Sequence, residues 1–298
     1  MTQNKCCRHG ANLRRRRRRR RKILRSIIFS CSIIAVAVFV AVGSSMIRSG
    51  DGKTNRYDVE AGNNTYDNAV IENSKISGKN KIQNNQSMLD DIMNSTQYPK
   101  QLKDLALKNE EALEFVYDYP AEHVKEHTID LTEEASMDSV PLFVQWDKRW
   151  GYEKYSGNFF AASGCGPTTL SMVVVYLTHN REASPIAVAK YSKEAGYSVD
   201  GSGSSWTLIS EGCMHYGVKA KAVALDESRM KAELDAGHPI VINVGPGDFT
   251  DTGHFMVITG YDDEGFSIND PNSIEKSGKR WLFKNISSQI RAVWSMYV

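Results

Sequence analysis

Six consecutive residues in the second half of the chain read Ser163-Gly164-Cys165-Gly166-Pro167-Thr168, and an apolar run follows them as far as Tyr176. Because proline is favoured in the first turn of a helix, this pattern predicts a helix that begins at Gly166-Pro167. The free N–H groups and the positive dipole end of such a helix stabilise a thiolate. The two glycines leave room for a substrate backbone beside the sulfur. Cys165 is therefore a candidate nucleophile, and Gly164 and Gly166 are candidate substrate-binding residues.

A histidine and an acid follow at the ends of two predicted strands. His254 opens an apolar run that ends at Gly260, and Asp270 ends the next strand candidate, which begins at Phe266. A cysteine, a histidine and a carboxylate can act together as nucleophile, base and orienting group, because the histidine takes the thiol proton and the acid fixes the histidine tautomer. Each residue also has a plain structural interpretation, His254 as a strand-end cap and Asp270 as a turn residue before proline.

The geometry of this predicted hairpin constrains the triad. Side chains alternate between the two faces of a strand, so a simple turn at Asp262–Gly265 would put His254 and Asp270 on opposite faces. A five-residue loop or a compensating bulge would instead make them diagonal neighbours on one face. We therefore expect one of these two features, with about 2.6–3.2 Å between an Asp270 carboxylate oxygen and a ring nitrogen of His254. The other ring nitrogen should face the Cys165 sulfur.

Helices precede strands in the predicted order of elements. The first helix should reach Tyr176, and the later predictions are a helix from Ser184-Pro185 to Gly196, a helix from Ser205 to Gly217, a strand over Val218–Ala224, a helix over Glu227–Ala236, a strand over Pro239–Val244 and a last strand over Arg291–Val298. This order is typical of an α+β fold. We expect N-terminal helices that carry Cys165 to pack on an antiparallel sheet that carries His254 and Asp270.

The N-terminal region has a charge pattern unlike the rest of the chain. Residues 1–25 contain twelve basic residues and no acidic ones, whereas the net charge of the whole chain is only +2. The remainder is therefore acidic overall, which argues against a domain that binds nucleic acid through a basic face. We interpret residues 1–25 as a basic cytoplasmic segment. A nuclear or nucleic-acid-binding patch is the alternative for the arginine block alone.

Residues 26–47 carry no charge and consist mostly of Ile, Val, Ala and Phe. At about 1.5 Å per residue, a helix of this length covers a bilayer core of about 30 Å. Because the basic block precedes the span, the positive-inside rule predicts a single-pass protein of the cell membrane with a cytoplasmic N-terminus and an extracellular C-terminal domain. Two export signals are alternatives: a signal peptide cleaved near Ala41-Val42-Gly43, and a twin-arginine signal at Arg20-Arg21.

Three further segments follow the predicted span. Residues 48–97 are rich in Asn, Ser, Gly and Lys, which predicts a flexible linker. Residues 98–139 predict a helical leader segment, because apolar residues recur every three or four positions from Leu102 to Val116 on a charged background. We interpret this helix as a packing element, with an inhibitory pro-segment as the alternative. Residues 140–298 have the common size of one globular domain.

Cys165 and Cys213 are the only cysteines after the predicted span. A disulfide between them would leave no nucleophile, and the domain would then be a surface binding module with an idle thiol. The histidines lack the spacing of a zinc site, and the glycine loops 201–203 and 245–247 lack the lysine of a phosphate-binding loop. We therefore expect no metal and no cofactor, and we expect both glycine loops to line a substrate groove.

The motifs after Tyr98 together resemble those of the C39-like peptidases, a family of the papain-like cysteine peptidase clan. The residues that carry the resemblance are Val140–Asp147 with Trp150-Gly151, Gly164–Thr168, Gly201–Trp206, Gly245–Thr250, Gly253–Asp262 and Asn269–Ser273. The resemblance implies a papain-like fold and a peptide or protein substrate. It also implies cleavage of peptide bonds by Cys165, His254 and Asp270.

The resemblance extends to the residues around the triad. It implies that Gln145 helps to bind the oxyanion, although Gln145 lies twenty residues before Cys165, further than in the archetypal pattern. Trp206 and Gly253, which lie within matching motifs, are candidate substrate-binding residues. The same acyl-enzyme chemistry also serves acyl transferases and cell-wall amidases, which are therefore alternative functions. The sequence gives no prediction of the oligomeric state.

Overall fold

The computed structural model describes residues 81–298. The predicted basic segment at 1–25, the predicted span at 26–47 and most of the predicted linker lie outside the described residues. Within residues 81–298, no helix is both long enough and apolar enough to cross a membrane.

The described chain begins with a group of short helices. These are α1 at 81–94, α2 at Lys100–Lys108, a 3₁₀ turn at Glu110–Ala112, α3 at Leu113–Tyr117 and α4 at Tyr119–Glu122. The flexible linker predicted over 48–97 is wrong for its last part, because 81–94 is helical. Met88 and Ile92, one helical turn apart, are buried there against the apolar residues of the leader segment. Burial of these two apolar side chains stabilises the helix although the surrounding residues are mostly polar.

The predicted leader helix is present but interrupted at Asn109. This residue has an extended backbone with a φ of −135°, and its side chain accepts a hydrogen bond from the N–H of Glu111. Asparagine competes with the helical hydrogen bonds in this way, so it ends one helix and caps the next. The apolar stripe from Leu102 to Val116 is buried on both sides of the break. It packs against Phe159 and Ala161 of the following domain.

The rest of the chain alternates short helices and strands. The helices are α5 at Phe160–Ser163, α6 at Cys165–Thr178, α7 at Pro185–Glu194, α8 at Thr207–Ser210, α9 at Glu227–Asp235, α10 at Ile274–Ser277 and α11 at Phe283–Ile286. The strands are β1 at Lys154–Tyr155, β2 at Asn158–Phe159, β3 at Ser198–Val199, β4 at Gly203–Ser204, β5 at Lys219–Ala222, β6 at Ile240–Val244, β7 at His254–Asp262, β8 at Gly265–Asn269, β9 at Arg280–Trp281 and β10 at Ile290–Tyr297. Short 3₁₀ turns lie at Glu134–Ser136, Gly212–Tyr216 and Ser287–Gln289.

One antiparallel sheet organises the domain. Its six strands are arranged in the order β5-β10-β6-β7-β8-β9. Helix α6 packs on one face of the sheet, where Phe255 and Val257 contribute to the core, and α7 packs against α6. Helices α9 and α11 cover the other face, where Met256 and Ile258 point. Successive side chains of β7 point to opposite faces of the sheet, and because both faces are covered, His254 to Ile258 are all buried. The α+β class and the packing of the Cys165 helix on an antiparallel sheet are confirmed.

The tip of the β7–β8 hairpin is tight. Asp262 pairs with Gly265, and Tyr261 pairs with Phe266, so the predicted five-residue loop is absent. The pairing shifts between Ile258 and Gly260, where Thr259 is the extra residue of a β-bulge. The compensating bulge, the second of the two predicted features, is therefore the one that occurs.

Candidate active site

Cys165 is the first residue of α6, and its side chain is half-buried. A Cβ atom on Gly164 would lie 2.6 Å from the Phe160 ring, and one on Gly166 would lie 2.5 Å from Oγ of Ser204. Both glycines are buried, so their small size is required for packing around the start of the helix. Their contact with a substrate stays a prediction.

His254 and Asp270 meet at the end of the β7–β8 hairpin. The Nε2–H of His254 donates to Oδ1 of Asp270 over 2.6 Å, within the predicted range. Both side chains are buried, with 6% of His254 and 1% of Asp270 exposed. The same Oδ1 accepts the N–H of Asn272 at 2.8 Å. Oδ2 is buried and has no hydrogen-bond partner among the described residues. Because Nε2 is engaged by Asp270, Nδ1 is the ring nitrogen left for the thiol.

The electrostatics of Cys165 and His254 favour an ion pair. Burial opposes charge on the thiol, but a hydrogen bond and the charge of His254, together with the N–H groups of Phe255 and Gly166, outweigh it and lower the pKa of Cys165. Burial likewise opposes the imidazolium, but the charge and hydrogen bond of Asp270 and the contact with Cys165 raise the pKa of His254 above its usual value. A thiolate beside an imidazolium is the reactive form of a nucleophilic cysteine.

Gln145 lies in the wall next to this pair. Although Gln145 lies twenty residues before Cys165, the fold returns it to the site. The N–H of Gln145 donates a hydrogen bond over 2.7 Å to the carbonyl of Pro271, the residue after Asp270. Its side chain is buried, and Nε2 donates one hydrogen to the carbonyl of Ala161 at 2.7 Å. The amide has a second hydrogen, which is available for an oxyanion. Oxyanion binding by Gln145 stays a prediction.

Two open cavities meet at Cys165. The first, of about 750 Å³, is called the glycine cavity, because Gly157, Gly201, Gly203, Gly245 and Gly253 all line it. The predicted substrate residue Trp206 also lines it and is 47% exposed. Both predicted glycine loops therefore contribute to a groove beside Cys165. A Cβ on Gly203, which has a φ of +84°, would come within 3.3 Å of the carbonyl of Ser163, so glycine is needed at this rim.

The second cavity, of about 670 Å³, is called the leader cavity, because helix α2 forms one of its walls. Leu105 and Lys108 of that helix face the loop 247–252 across it. Gln145 and His254 line the leader cavity and do not line the glycine cavity, whereas Cys165 and Gly253 line both. The two cavities therefore form one groove with Cys165 at its centre.

The leader segment also holds the loop that follows Asp270. The side chain of Asn109 donates to the carbonyl of Asn272 at 2.9 Å. The carboxylate of Glu111 accepts from the hydroxyl of Ser273 and from the N–H of Ile274 at 2.7 Å. Neither residue is predicted from the sequence, since the partners are more than 160 positions away and no local motif marks them.

The second cysteine of the described chain is not part of this site. Cys165 and Cys213 are both free, so the disulfide alternative does not occur in the structure. Cys213 is fully buried, and burial raises the pKa of its thiol to about 11. Within residues 81–298, no group of three or more His, Cys, Asp or Glu side chains is arranged to hold a metal ion.

Comparison with known proteins gives one matching family and several distant structural neighbours, among them the two that follow. The Peptidase_C39 like family matches residues 137–298. The peptidase domain of Streptococcus ComA, a bi-functional ABC transporter involved in a quorum sensing pathway, is 18% identical, with a TM-score of 0.38 over 53% of this chain and 96% of that domain. A protein from Bacillus anthracis described as a C39-like peptidase is 18% identical, with a TM-score of 0.34 over 53% of this chain and 95% of that one. No curated protein sequence matches the chain.

The family match includes every residue of the candidate triad and begins within the last three residues of the leader segment. It covers more than half of the chain, from Met137 to the last residue. Membership of this family suggests cysteine peptidase activity and does not specify a substrate. The chain that carries Cys165, His254 and Asp270 at the centre of its groove belongs to the Peptidase_C39 like family.

Proposed function

We propose that the protein is an extracytoplasmic cysteine peptidase that hydrolyses peptide bonds through Cys165, His254 and Asp270. The observation that carries this proposal is the buried His254–Asp270 pair, which contacts a Cys165 thiol of lowered pKa at the junction of two cavities. A structural cysteine has no need of such an environment. Cys213, which is buried among apolar residues and has a raised pKa, illustrates the inert kind.

In the proposed reaction the Cys165 thiolate attacks the carbonyl carbon of the scissile peptide bond. The oxyanion of the tetrahedral intermediate accepts hydrogen bonds from the Cys165 N–H and the free Nε2 hydrogen of Gln145. The C–N bond then breaks as His254 gives its proton to the leaving amine, and a thioester remains on Cys165. A water molecule then attacks the thioester carbonyl carbon while His254 takes a proton from the water. The peptide carboxylate leaves and the thiol is restored.

The position of His254 gives the groove a direction. The leaving amine must lie within reach of the imidazolium that protonates it. His254 lines the leader cavity and does not line the glycine cavity. The part of the substrate after the scissile bond therefore occupies the leader cavity. The acyl part, which precedes the scissile bond, occupies the glycine cavity, where glycines and serines permit close approach of an extended backbone.

The extracytoplasmic location rests on the sequence of the N-terminal region. Twelve basic residues within 1–25 precede the uncharged stretch 26–47, which is the arrangement of a signal anchor with a cytoplasmic N-terminus. The peptidase domain, residues 137–298 and the leader segment before it, would then face the outside of the cell membrane. Extracellular peptides or proteins are the corresponding substrates.

A peptidyl epoxide probe tests the nucleophile. Such a probe alkylates a cysteine only when a histidine activates the thiol and the peptide part occupies the substrate groove. In the purified full-length protein, we expect peptide mapping by mass spectrometry to find the probe on Cys165 and not on Cys213. The variant H254A should lose labelling although the thiol is still present. Labelling of Cys213, or equal labelling of Cys165 in H254A, would remove the proposed catalytic pair.

A further inference from the structure

Arg291 is aimed by a second bulge in the sheet. Strand β10 pairs with β6 through Ile290–Val244 and then Ala292–Asn243, so Arg291 is the extra residue at this register shift. Bulges next to ligand sites re-aim a side chain out of the regular alternation. The guanidinium of Arg291 lies directly over Gly245, where a Cβ atom would be 2.3 Å from Nε. Glycine at 245 is therefore required for this placement of the arginine.

Apart from the Cys165 thiolate, Arg291 is the only charged side chain among the residues that line the glycine cavity. The others are glycines, serines, small or amide side chains and the aromatic residues Trp206 and Phe255. Among residues 81–298, no carboxylate forms an ion pair with Arg291, and its side chain makes no hydrogen bond. Asp200 lies over Gly157 but is not a lining residue. A guanidinium without an ion pair in the glycine cavity attracts an anion.

The direction of the groove identifies the kind of anion. In the proposed reaction the glycine cavity takes the part of the substrate that precedes the scissile bond, and the substrate peptide runs from there toward its N-terminus. A C-terminal carboxylate of a linear peptide therefore cannot reach Arg291. The anion that can reach it is the side chain of aspartate or glutamate.

We infer that Arg291 is a specificity-determining residue that selects substrates with an acidic side chain on the acyl side of the scissile bond. This inference rests on the proposed peptidase function and deepens it. The guanidinium presents a planar fork that matches a carboxylate, so both hydrogen bonds form with little loss of freedom. Because Arg291 is exposed, the expected preference is modest, about three- to tenfold, and it falls as salt is added.

The test uses pairs of peptides in the purified full-length protein. A library of short unstructured peptides is prepared in which each member with Glu before the scissile bond has a twin with Gln at that position. The ratio of kcat/KM for the twins is measured by mass spectrometry for the wild type and for R291A and R291E. Arg229 is another exposed arginine without an ion pair among the described residues and lines neither cavity, so R229A is the matched control.

The inference predicts a Glu preference in the wild type and in R229A, a ratio near one in R291A, and a preference for Gln over Glu twins in R291E. Equal cleavage of Glu and Gln twins by the wild type, or a Glu preference that survives in R291A, would overturn it. A second measurement does not depend on turnover. Fluorescence anisotropy should show tighter binding of Glu twins to C165A than to the double variant C165A/R291A. If no peptide is cleaved but this difference is present, the proposed peptidase function fails while the acidic selectivity stands.

Discussion

The Nε2 atom of His254 lies 2.6 Å from Oδ1 of Asp270 because Thr259 bulges out of the strand between them. Beyond the bulge, Val257 pairs with Asn269, and the same register continued by one residue puts Asp270 opposite Met256. His254 and Asp270 then share a face as diagonal neighbours. With the tight tip of this hairpin and no bulge, the two side chains would point to opposite faces of the sheet.

Deletion of Thr259 should therefore separate His254 from Asp270. The tip at Asp262 and Gly265 is fixed by its own pairing, so the register shift falls on the end that carries His254. We expect peptide cleavage to fall about a hundredfold or more, to the level of D270A, since the imidazole loses its orienting group. The substitution T259A keeps the residue count and serves as the control. Thermal melts identify any loss of folding, and a folded deletion variant with wild-type kcat/KM would contradict this account of the bulge.

The reactivity of the two thiols should differ in its dependence on pH. The pKa of Cys165 is lowered, so its thiolate persists at pH values where the Cys213 thiol, with a pKa of about 11, is protonated. At neutral pH, iodoacetamide should modify Cys165 at least about tenfold faster than Cys213. In H254A the burial that raises the pKa of Cys165 remains and the charge that lowers it is gone, so the inflection of its rate profile should move to higher pH. Equal slow modification of both cysteines by mass spectrometry would argue against an activated thiol.

Glu111 should support the triad from outside the family domain. It accepts hydrogen bonds from Ser273, from Ile274 and from the N–H of Glu275, all in the loop and helix that follow Asp270. E111A should lose about 1–3 kcal/mol of unfolding free energy. The loop that carries Asp270 should also loosen, which weakens the support of Asp270 for His254. The rate profile of E111A for Cys165 alkylation should therefore move to higher pH. E111Q keeps one side-chain acceptor, so its loss of unfolding free energy and its shift of the rate profile should both be smaller than those of E111A. The neighbouring E110A is the control, since Glu110 contacts Asn85 instead. A Cys165 profile in E111A that matches E110A would limit Glu111 to a structural role.

The positions of most elements follow from local signals in the sequence. Ser184 caps α7 through a hydrogen bond from the N–H of Ala187, as the Ser-Pro pair predicts, and Gly217 ends the 3₁₀ turn with a φ of +76°. The prediction of one continuous helix from Ser205 to Gly217 was wrong. The segment forms two pieces, α8 and a 3₁₀ turn, which are separated at Glu211. Caps and apolar periodicity are local, so they mark where elements begin and end more reliably than how regular they are.

The features that assemble the site are less visible in the sequence. The choice between a loop and a bulge at Thr259 depends on cross-strand pairing, and either choice gives the same triad. The bulge at Arg291 likewise has no local mark, because it is set by how β10 meets β6. Contacts such as that between Asn109 and Asn272 join residues 163 positions apart. Patterns within a window of residues do not report on partners at that distance.

The proposed topology has its own test in intact cells. Because the basic block precedes the uncharged stretch 26–47, protease added outside should remove the region after Arg48 and spare an N-terminal tag. Permeabilised cells provide the control in which the tag is also cleaved. Protection of the peptidase domain in intact cells would rule out an extracellular location.

The central claim is that Cys165 cleaves peptide bonds, and cleavage of a peptide library tests it most directly. The purified full-length protein is incubated with a diverse library under reducing conditions, and new termini are identified by mass spectrometry. We predict product pairs with free carboxylates and amines, with a rate in C165A at least about a thousandfold lower and with C213A close to wild type. New amide bonds in the products would indicate acyl transfer instead of hydrolysis. Equal cleavage by C165A, or no cleavage of any peptide by the wild type, would contradict the assignment of this protein as a cysteine peptidase.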